Sequence, residues 1–407
     1  MMKKTLLLIL IPSIAISFTP DPPNVITDPE LKASEPVIAY DSTSNKHYLL
    51  YSYIPGTGTT TFYTYLYDSN SGIHKRITLP TGESTFGMRD MISHNGVIYC
   101  VFNSSISING TQIDGLYFIE SSNAGTTWSQ PHYLGNAATS TPRMSIAKVN
   151  GNYYIATTWI TEELLQQGTN NYRTSYIIAE KAIGTTTWIS KNIHTINHTS
   201  IPSERPDTMF ISNDSALNSG NSNWLIATNV FYNCYYTQLP VGSINSTNNF
   251  MEIGYSSTNP TPKERPGVVF DPNAGRNGQY VYMYITPNNE SIVYHSKGSL
   301  TGNWSAAQSI SNTNALNGAW RYEDIDMSYH NGHIYYSYIE KRFPENNGII
   351  VLKGAEAGRN TYNFIKQRVT STNFLQTHPE YEAGKITFLQ SSSQLTLNSP
   401  DVVLQVE

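Results

Sequence analysis

The chain has 407 residues, with 25 Lys and Arg against 30 Asp and Glu, which gives a formal net charge of −5 at pH 7. A mildly acidic chain without a basic block argues against binding to nucleic acid or to anionic membrane surfaces. Charged residues make up only 14%, while tyrosine alone occurs 29 times.

The N-terminal segment has the features of an export signal. Two lysines precede the apolar residues 6–16, and Ser17 follows with the small side chain that a signal peptidase requires. The apolar run is too short to span a bilayer, and no later run approaches about 18 apolar residues. We expect residues 1–17 to be a signal peptide cleaved after Ser17, and a secreted or periplasmic protein without a membrane span.

After a proline-rich segment, one sequence pattern recurs seven times. It consists of an apolar strand, a turn rich in Asn and Gly, and an aromatic strand. The copies begin at Pro36, Asp90, Met144, Asp207, Gly267, Asp324 and Glu380. Such turns between alternating strands are a strong hairpin signal. Two further strand-like segments follow each hairpin, and four strands per repeat are typical of propeller blades.

We therefore predict an all-β fold in which residues 18–407 form a single domain. It is a β-propeller of four-stranded antiparallel blades. The hairpins give a count of seven blades, and six is the alternative if the first copy is an N-terminal addition to the ring.

One turn carries a specific motif, because residues 121–128 read SSNAGTTW, one residue away from the Asp-box pattern S-x-D-x-G-x-T-W. In that pattern the Asp or Asn side chain hydrogen-bonds the backbone of its own turn. The Gly adopts a positive φ, and the Trp packs against the blade. Weaker copies precede several other outer strands. On these residues the chain resembles the BNR/Asp-box superfamily, whose best-known members are sialidases.

Arginines recur where the first strand of each repeat starts. The aligned residues are Arg89, Arg143, Arg205, Arg265 and Arg321, with His378 at this position in the last repeat. A ring of arginines at the channel mouth would bind a carboxylate or sulfate on a glycan, since arginine holds such groups bidentately. Carboxylates beside them leave a second interpretation open, in which Arg–Asp or Arg–Glu pairs join neighbouring blades.

The resemblance to sialidases implies roles for two residues in the second repeat. Arg89 and Asp114 precede the turn at residues 121–128 in the family's order of carboxylate-binding arginine and general acid. A protonated carboxyl beside a glycosidic oxygen suits that chemistry when burial raises its pKa. The flanking residues depart from the family, because Met-Arg-Asp-Met stands in place of its aromatic-Arg-Ile-Pro.

The same resemblance implies roles near the C terminus. Glu323 matches the glutamate that activates the family's tyrosine nucleophile, and Arg342 matches its second carboxylate-binding arginine. Tyr381 is a candidate nucleophile by position only. Trp320 is a candidate platform for stacking a sugar ring.

Other residues carry weaker signals. Glu162 and Glu163 lie in a long upper loop and either supply an acid or base or are simply solvated. Cys100 and Cys234 lie two repeats apart, so we predict buried thiols rather than a disulfide. The sequence contains no phosphate-binding loop and no paired-cysteine motif, and we expect neither a metal nor a cofactor.

Three functions remain open. In each of them we expect a monomer that binds an acidic oligo- or polysaccharide. The first is a sialidase-like glycoside hydrolase with Asp114 as its acid. The second is a polysaccharide lyase acting on uronates, with His378 and a tyrosine moving protons. The third is a lectin-like propeller without catalysis.

Overall fold

The computed structural model describes residues 24–25, 36–53, 63–82, 86–108, 110–166, 171–198, 209–217, 221–230, 233–244, 251–252, 264–285, 291–298, 303–310, 320–342, 348–369, 376–383, 385–391 and 400–406. Almost all regular structure in these ranges is strand, and a 3-10 turn covers Ser215–Leu217. None of the described helical structure is long and apolar enough to cross a membrane.

In chain order the strands are β1 (Asn24–Val25), β2 (Val37–Asp41), β3 (Lys46–Tyr53), β4 (Tyr63–Asp68), β5 (Ile73–Arg76), β6 (Arg89–His94), β7 (Val97–Ile108), β8 (Thr111–Ser121), β9 (His132–Gly135), β10 (Arg143–Val149), β11 (Asn152–Leu164), β12 (Tyr172–Ala182), β13 (Ile189–His198) and β14 (Met209–Asn213). They continue with β15 (Asn223–Val230), β16 (Asn233–Pro240), β17 (Met251–Glu252), β18 (Glu264–Asp271), β19 (Gln279–Ile285), β20 (Ile292–Gly298), β21 (Gln308–Ser309), β22 (Trp320–His330), β23 (His333–Arg342), β24 (Gly348–Glu356), β25 (Ile365–Val369), β26 (Gln376–Glu382), β27 (Lys385–Ser391) and β28 (Pro400–Val406).

The described strands form seven four-stranded antiparallel sheets, which we number as blades one to seven. Blades one to six each use four consecutive strands, beginning with β2. Blade seven has the order β1-β28-β27-β26, so the N-terminal strand pairs with the C-terminal strand. The first strands of neighbouring blades touch all the way round, including β26 against β2. The fold is therefore the predicted all-β propeller, and pairing between the two ends of the chain closes its ring.

The core lies between the blades. Successive residues of a strand face opposite sides, and large apolar side chains fill the space between adjacent blades. Leu66, Phe102 and Ile119 are buried between blades one and two, whereas Leu116 and Trp159 are buried between blades two and three. Burying each such side chain contributes about 1.5–3 kcal/mol, so the contacts that hold the ring together lie between sheets.

The turn at residues 121–128 has the predicted hydrogen bonds. Asn123 Oδ1 accepts the backbone N–H four residues later at 2.9 Å, and Gly125 N donates to Ser121 Oγ at 2.9 Å. Gly125 has φ 75°, and a Cβ there would lie 2.3 Å from Leu66 Cδ2. Trp128 is buried in the core between blades one and two. The turn therefore packs blade two against blade one.

Both cysteines are buried thiols, as the sequence analysis predicted. Cys100 lies in the second strand of blade two, where burial raises the pKa of its thiol. Cys234 lies in the third strand of blade four. Both side chains act as small apolar groups in the core.

Candidate functional site

The ring has two edges of different character. Its lower edge carries the turns between the first and second strands and between the third and fourth strands of each blade. Its upper edge carries the starts of the first strands and the turns between the second and third strands. Arg89, Arg143 and Asp114 belong to the upper edge.

Arg89, at the start of the first strand of blade two, is buried with 4% of its surface exposed. Its Nη1 donates to Ser52 Oγ at 2.7 Å and to the carbonyl of Phe86 at 2.8 Å. Ser52 belongs to blade one, so Arg89 joins two blades. The described acceptors of Arg89 are thus a hydroxyl and a carbonyl oxygen, whereas the blade-joining interpretation expected a carboxylate as the partner.

Asp90 is also buried and points the other way around the ring. Its Oδ1 accepts the N–H of Met91 at 2.8 Å, and its Oδ2 accepts the N–H of Met144 in blade three at 2.6 Å. Backbone donors thus compensate for the loss of water around this carboxylate. Arg89 and Asp90 together join blade two to both of its neighbours.

Arg143 begins the first strand of blade three but does not repeat the contacts of Arg89. Its guanidinium carbon lies 5.1 Å from the ring centroid of Phe210 in blade four. Arg89 therefore extends toward the preceding blade and Arg143 toward the following one. The two described arginine side chains do not share one equivalent position at the channel mouth.

For the remaining predicted site residues, either the whole residue or its side chain lies outside the described part of the structure. Arg205 is outside the described residues. The others belong to described strands, but their side chains are not described: Arg265, Trp320, Arg321, Glu323, Arg342, His378 and Tyr381. Their proposed roles stay predictions.

The structure does not bring Arg89 and Asp114 to the same side of blade two. Arg89 pairs with Phe102, which pairs with Tyr117, and side chains paired across strands share a face. Asp114 lies within β8, not in a turn, at an odd separation from Tyr117. Because side chains alternate along a strand, Asp114 faces the opposite side from Arg89.

A polar cleft of about 390 Å³ opens at the upper edge of blade three, where it meets blade two. Most of its lining consists of amide and hydroxyl side chains: Asn136, Thr161, Ser175, Asn192, Thr195 and Asn197. Thr161, Ser175 and Thr195 are aligned across three neighbouring strands, so they share one face. The cleft offers a sheet surface of hydrogen-bonding groups.

The charged residues of the cleft are Glu163 and Arg173, which pair across β11 and β12. Arg173 Nη1 lies 3.6 Å from Glu163 Oε2, with side chains 45% and 59% exposed. An exposed pair at this distance contributes at most about 1 kcal/mol, because water and salt screen it. The guanidinium therefore retains N–H donors for a ligand.

The wall of the cleft at Asn136 is held by the segment that crosses from blade two to blade three. Asn103 Nδ2 donates to the carbonyl of Ala138 at 2.7 Å, and Asn103 Oδ1 accepts the N–H of Ala138 at 2.9 Å. Thr139 N donates to the carbonyl of Ile160 at 2.8 Å. The cleft is therefore pre-formed in the folded protein.

Two exposed carboxylates lie on the faces of blades two and three that are turned toward each other. Asp114 shares its face of blade two with Leu116, and Glu163 shares its face of blade three with Trp159. Leu116 and Trp159 belong to the same core between blades two and three. Asp114 and Glu163 thus extend from facing sides of adjacent blades.

Sequence reasoning singled out Glu163 and missed the rest of the cleft. The lining comes from the end of blade two and three strands of blade three, so no contiguous motif marks it. The available signal was the alternation of polar residues at Arg173 and Ser175 and at Thr195 and Asn197. Within the described residues, no three His, Cys, Asp or Glu side chains are grouped as metal ligands.

The sequence matches no protein-family model, and no curated protein matches it. Solved structures are similar to it at low identity. The NanB sialidase of Streptococcus pneumoniae is 9% identical over 89% of this chain and 84% of its own, with a TM-score of 0.45. The polysaccharide lyase Uly1 is 9% identical over 88% of each chain, with a TM-score of 0.46. YCF48, bound to a peptide, is 11% identical over 94% of this chain and 97% of its own, with a TM-score of 0.45.

The fold defines this chain as a β-propeller. Unrelated activities share that architecture, so the function has to be argued from the cleft and its residues.

Proposed function

We propose that this chain is a secreted glycan-binding propeller whose ligand lies in the cleft between blades two and three. The observation that carries the proposal is the lining, in which amide and hydroxyl groups surround one exposed Arg–Glu pair. Sugars present many hydroxyl groups, each of which both donates and accepts hydrogen bonds. A pre-formed polar surface suits them because few side chains must be ordered on binding.

The ligand carries a carboxylate, which Arg173 binds in place of Glu163. The internal pair is exposed and 3.6 Å apart, so breaking it costs little. A bidentate bond between arginine and a ligand carboxylate contributes about 1.5–3 kcal/mol. When Arg173 exchanges Glu163 for a ligand carboxylate, the net gain therefore favours an acidic sugar over a neutral one.

A glycan array of neutral, sialylated and uronate-containing oligosaccharides tests the proposal. We expect Arg173→Gln to weaken binding of acidic glycans by about 10-fold or more, because the charge-assisted bond is lost. Glu163→Gln should maintain or increase the affinity, because it removes the competing carboxylate. Titration calorimetry measures the affinity of each variant relative to that of the wild type.

Arg359→Gln is the matched control, because Arg359 is an exposed arginine at the lower edge that pairs with Glu356 at 2.5 Å. It should leave binding unchanged. Equal losses in the Arg173 and Arg359 variants, or no binding of any glycan by the wild type, would contradict the proposal.

A glycoside hydrolase is the second candidate, favoured by the facing carboxylates Asp114 and Glu163. Glycosidases use two carboxylates on either side of the scissile bond, one of them as general acid. Asp114 would serve as the acid and Glu163 as its partner. The lyase alternative depends on His378, whose side chain is not described.

Fluorogenic sialosides and uronosides distinguish the enzyme from the binding protein. For the enzyme, Asp114→Asn and Glu163→Gln should each reduce turnover by about 100-fold or more while glycan binding persists. Binding without turnover by the wild type would leave the lectin-like function alone.

A further inference from the structure

The face of blade three that lines the cleft has three levels, each formed by residues aligned across neighbouring strands. Glu163 and Arg173 form the outer level at the rim, and Thr161 and Ser175 form the middle level. Ile177 belongs to the inner level, and it is the one apolar side chain among the described residues that line the cleft. The cleft is therefore charged at its outer end and apolar at its inner end.

Ile177 offers a fixed apolar surface to a ligand. It packs against the core between blades two and three, and its pairing partner Trp159 is fully buried. Part of the Ile177 side chain nevertheless remains exposed to the cleft. Contact with a methyl group would remove apolar surface from water while ordering little that is mobile. The inner level therefore favours a methyl-bearing group of a ligand.

Two polar side chains beside Ile177 match the amide of an acetamido group. Thr161 is only 6% exposed, and its hydroxyl has no hydrogen-bond partner among the described residues. A register shift next to Ile177 places Asn192 on the same face as Thr195, whose Oγ1 accepts a hydrogen bond from Asn192 Nδ2 at 2.8 Å. A hydroxyl can donate, and the side-chain carbonyl of an asparagine accepts. Thr161 and Asn192 can therefore bind the C=O and N–H of an acetamido group whose methyl contacts Ile177.

The spacing of the two ends narrows the class of ligand. Arg173 and Ile177 are four residues apart on β12, which is about 13 Å along a strand. A carboxylate and an acetamido methyl on one sugar ring lie closer together than this, and successive units of a chain place them farther apart. We infer that the cleft binds a chain in which a uronic acid alternates with an N-acetylhexosamine, with one carboxylate at Arg173 and a neighbouring acetamido methyl at Ile177. This inference rests on the proposed glycan-binding function.

Titration calorimetry with tetrasaccharides of matched length tests the inference. Hyaluronan and heparosan tetrasaccharides carry both groups in alternation and differ in linkage. Tetragalacturonate carries only carboxylates, and N-acetylchitotetraose carries only acetamido groups. The wild type should bind at least one of the alternating tetrasaccharides about 10-fold more tightly than either of the other two. N-acetylneuraminic acid, which carries both groups on one ring, should also bind about 10-fold more weakly than that tetrasaccharide.

Thr161→Val removes one hydroxyl and keeps the shape of the side chain. Because that hydroxyl has no described internal partner, the variant should unfold at the temperature of the wild type or above it. It should weaken binding of the alternating tetrasaccharide about 5-fold or more and leave binding of tetragalacturonate unchanged.

Ile177→Thr is an independent variant that replaces the apolar surface and leaves Thr161 in place. We expect the same selective loss for the alternating tetrasaccharide, because the methyl contact is weakened. A thermal unfolding curve verifies that this variant is folded. If it is not, the comparison of Thr161→Val with the wild type decides the question.

The outcomes separate the inference from the proposed function. If Arg173→Gln weakens binding of every acidic ligand and Thr161→Val binds all of them as tightly as the wild type, the inference is wrong and the proposed function stands. Binding of N-acetylneuraminic acid as tight as that of the alternating tetrasaccharides would also contradict the inference alone. If the wild type binds no saccharide, both are wrong.

Discussion

The lower edge of the ring and the cleft at the upper edge of blade three are both rich in polar side chains, but these have different partners. At the lower edge, Asp271 is fully buried in blade five. It accepts hydrogen bonds from Gly358 N and Tyr362 Oη of blade six, each at 2.7 Å. In the cleft, Glu163 and Arg173 are exposed and 3.6 Å apart. Polar groups with buried internal partners hold the blades together, whereas exposed groups remain available to a ligand.

Glu180 repeats the lower-edge arrangement between blades three and four. Its Oε2 accepts the indole N–H of Trp224 at 2.5 Å and the N–H of Gly242 at 2.9 Å. Burial raises the pKa of this carboxyl above its ordinary value. The raised pKa of Glu180 thus reflects its burial between blades three and four.

Removing the Asp271 carboxylate should give the largest effect on stability. Asp271→Ala leaves the N–H of Gly358 and the hydroxyl of Tyr362 buried without their acceptor. We expect the free energy of unfolding to fall by about 3–5 kcal/mol. Urea denaturation followed by tyrosine fluorescence measures it.

Glu163→Ala is the matched change at the upper edge. Its side chain is 59% exposed, so the free energy of unfolding should change by no more than about 0.5 kcal/mol. If Asp271→Ala and Glu163→Ala reduced the free energy of unfolding by similar amounts, the proposed difference between the two edges would be wrong.

Acid should weaken the lower edge through His47, at the start of the second strand of blade one. Its Nε2 donates to the carbonyls of Glu382 and Ala383 in blade seven, at 2.9 and 3.1 Å. Burial, with the nearby charge of Lys385, lowers the pKa of His47 from 6.5 to about 4. The contact lies where the first and last blades meet.

The sign of the pH effect follows from this shift. Between pH 6.5 and about 4 the unfolded chain binds a proton at His47 that the folded chain does not. The contribution of His47 is therefore complete above pH 6.5, falls through this window by about 3 kcal/mol, and changes no further below pH 4.

Unfolding of the wild type and His47→Gln across this pH range measures the contribution. The glutamine amide also donates to carbonyls but does not titrate. The stability difference between the two proteins should therefore shift toward the variant as pH falls. Parallel stability curves would exclude His47 as the source.

The arginines illustrate where sequence alignment fails. Arg89 and Arg143 both begin the first strand of a blade, which made them equivalent in the sequence. A shift of one residue in a strand reverses the face that a side chain occupies, so two such residues contact opposite neighbours. Arg89 contacts Ser52 in blade one, whereas Arg143 contacts Phe210 in blade four. An alignment of repeats carries no information about a shift this small.

By itself the sequence determined the strand-and-turn repeat, the all-β class and the hydrogen bonds of the turn at residues 121–128. These depend on alternation along a strand and on contacts within a few residues, both of which are local. The tertiary structure alone decided that β1 pairs with β28 and that the cleft forms where blades two and three meet. Such contacts join segments that are distant in the chain, and they depend on the register and face of each strand after the ring has closed.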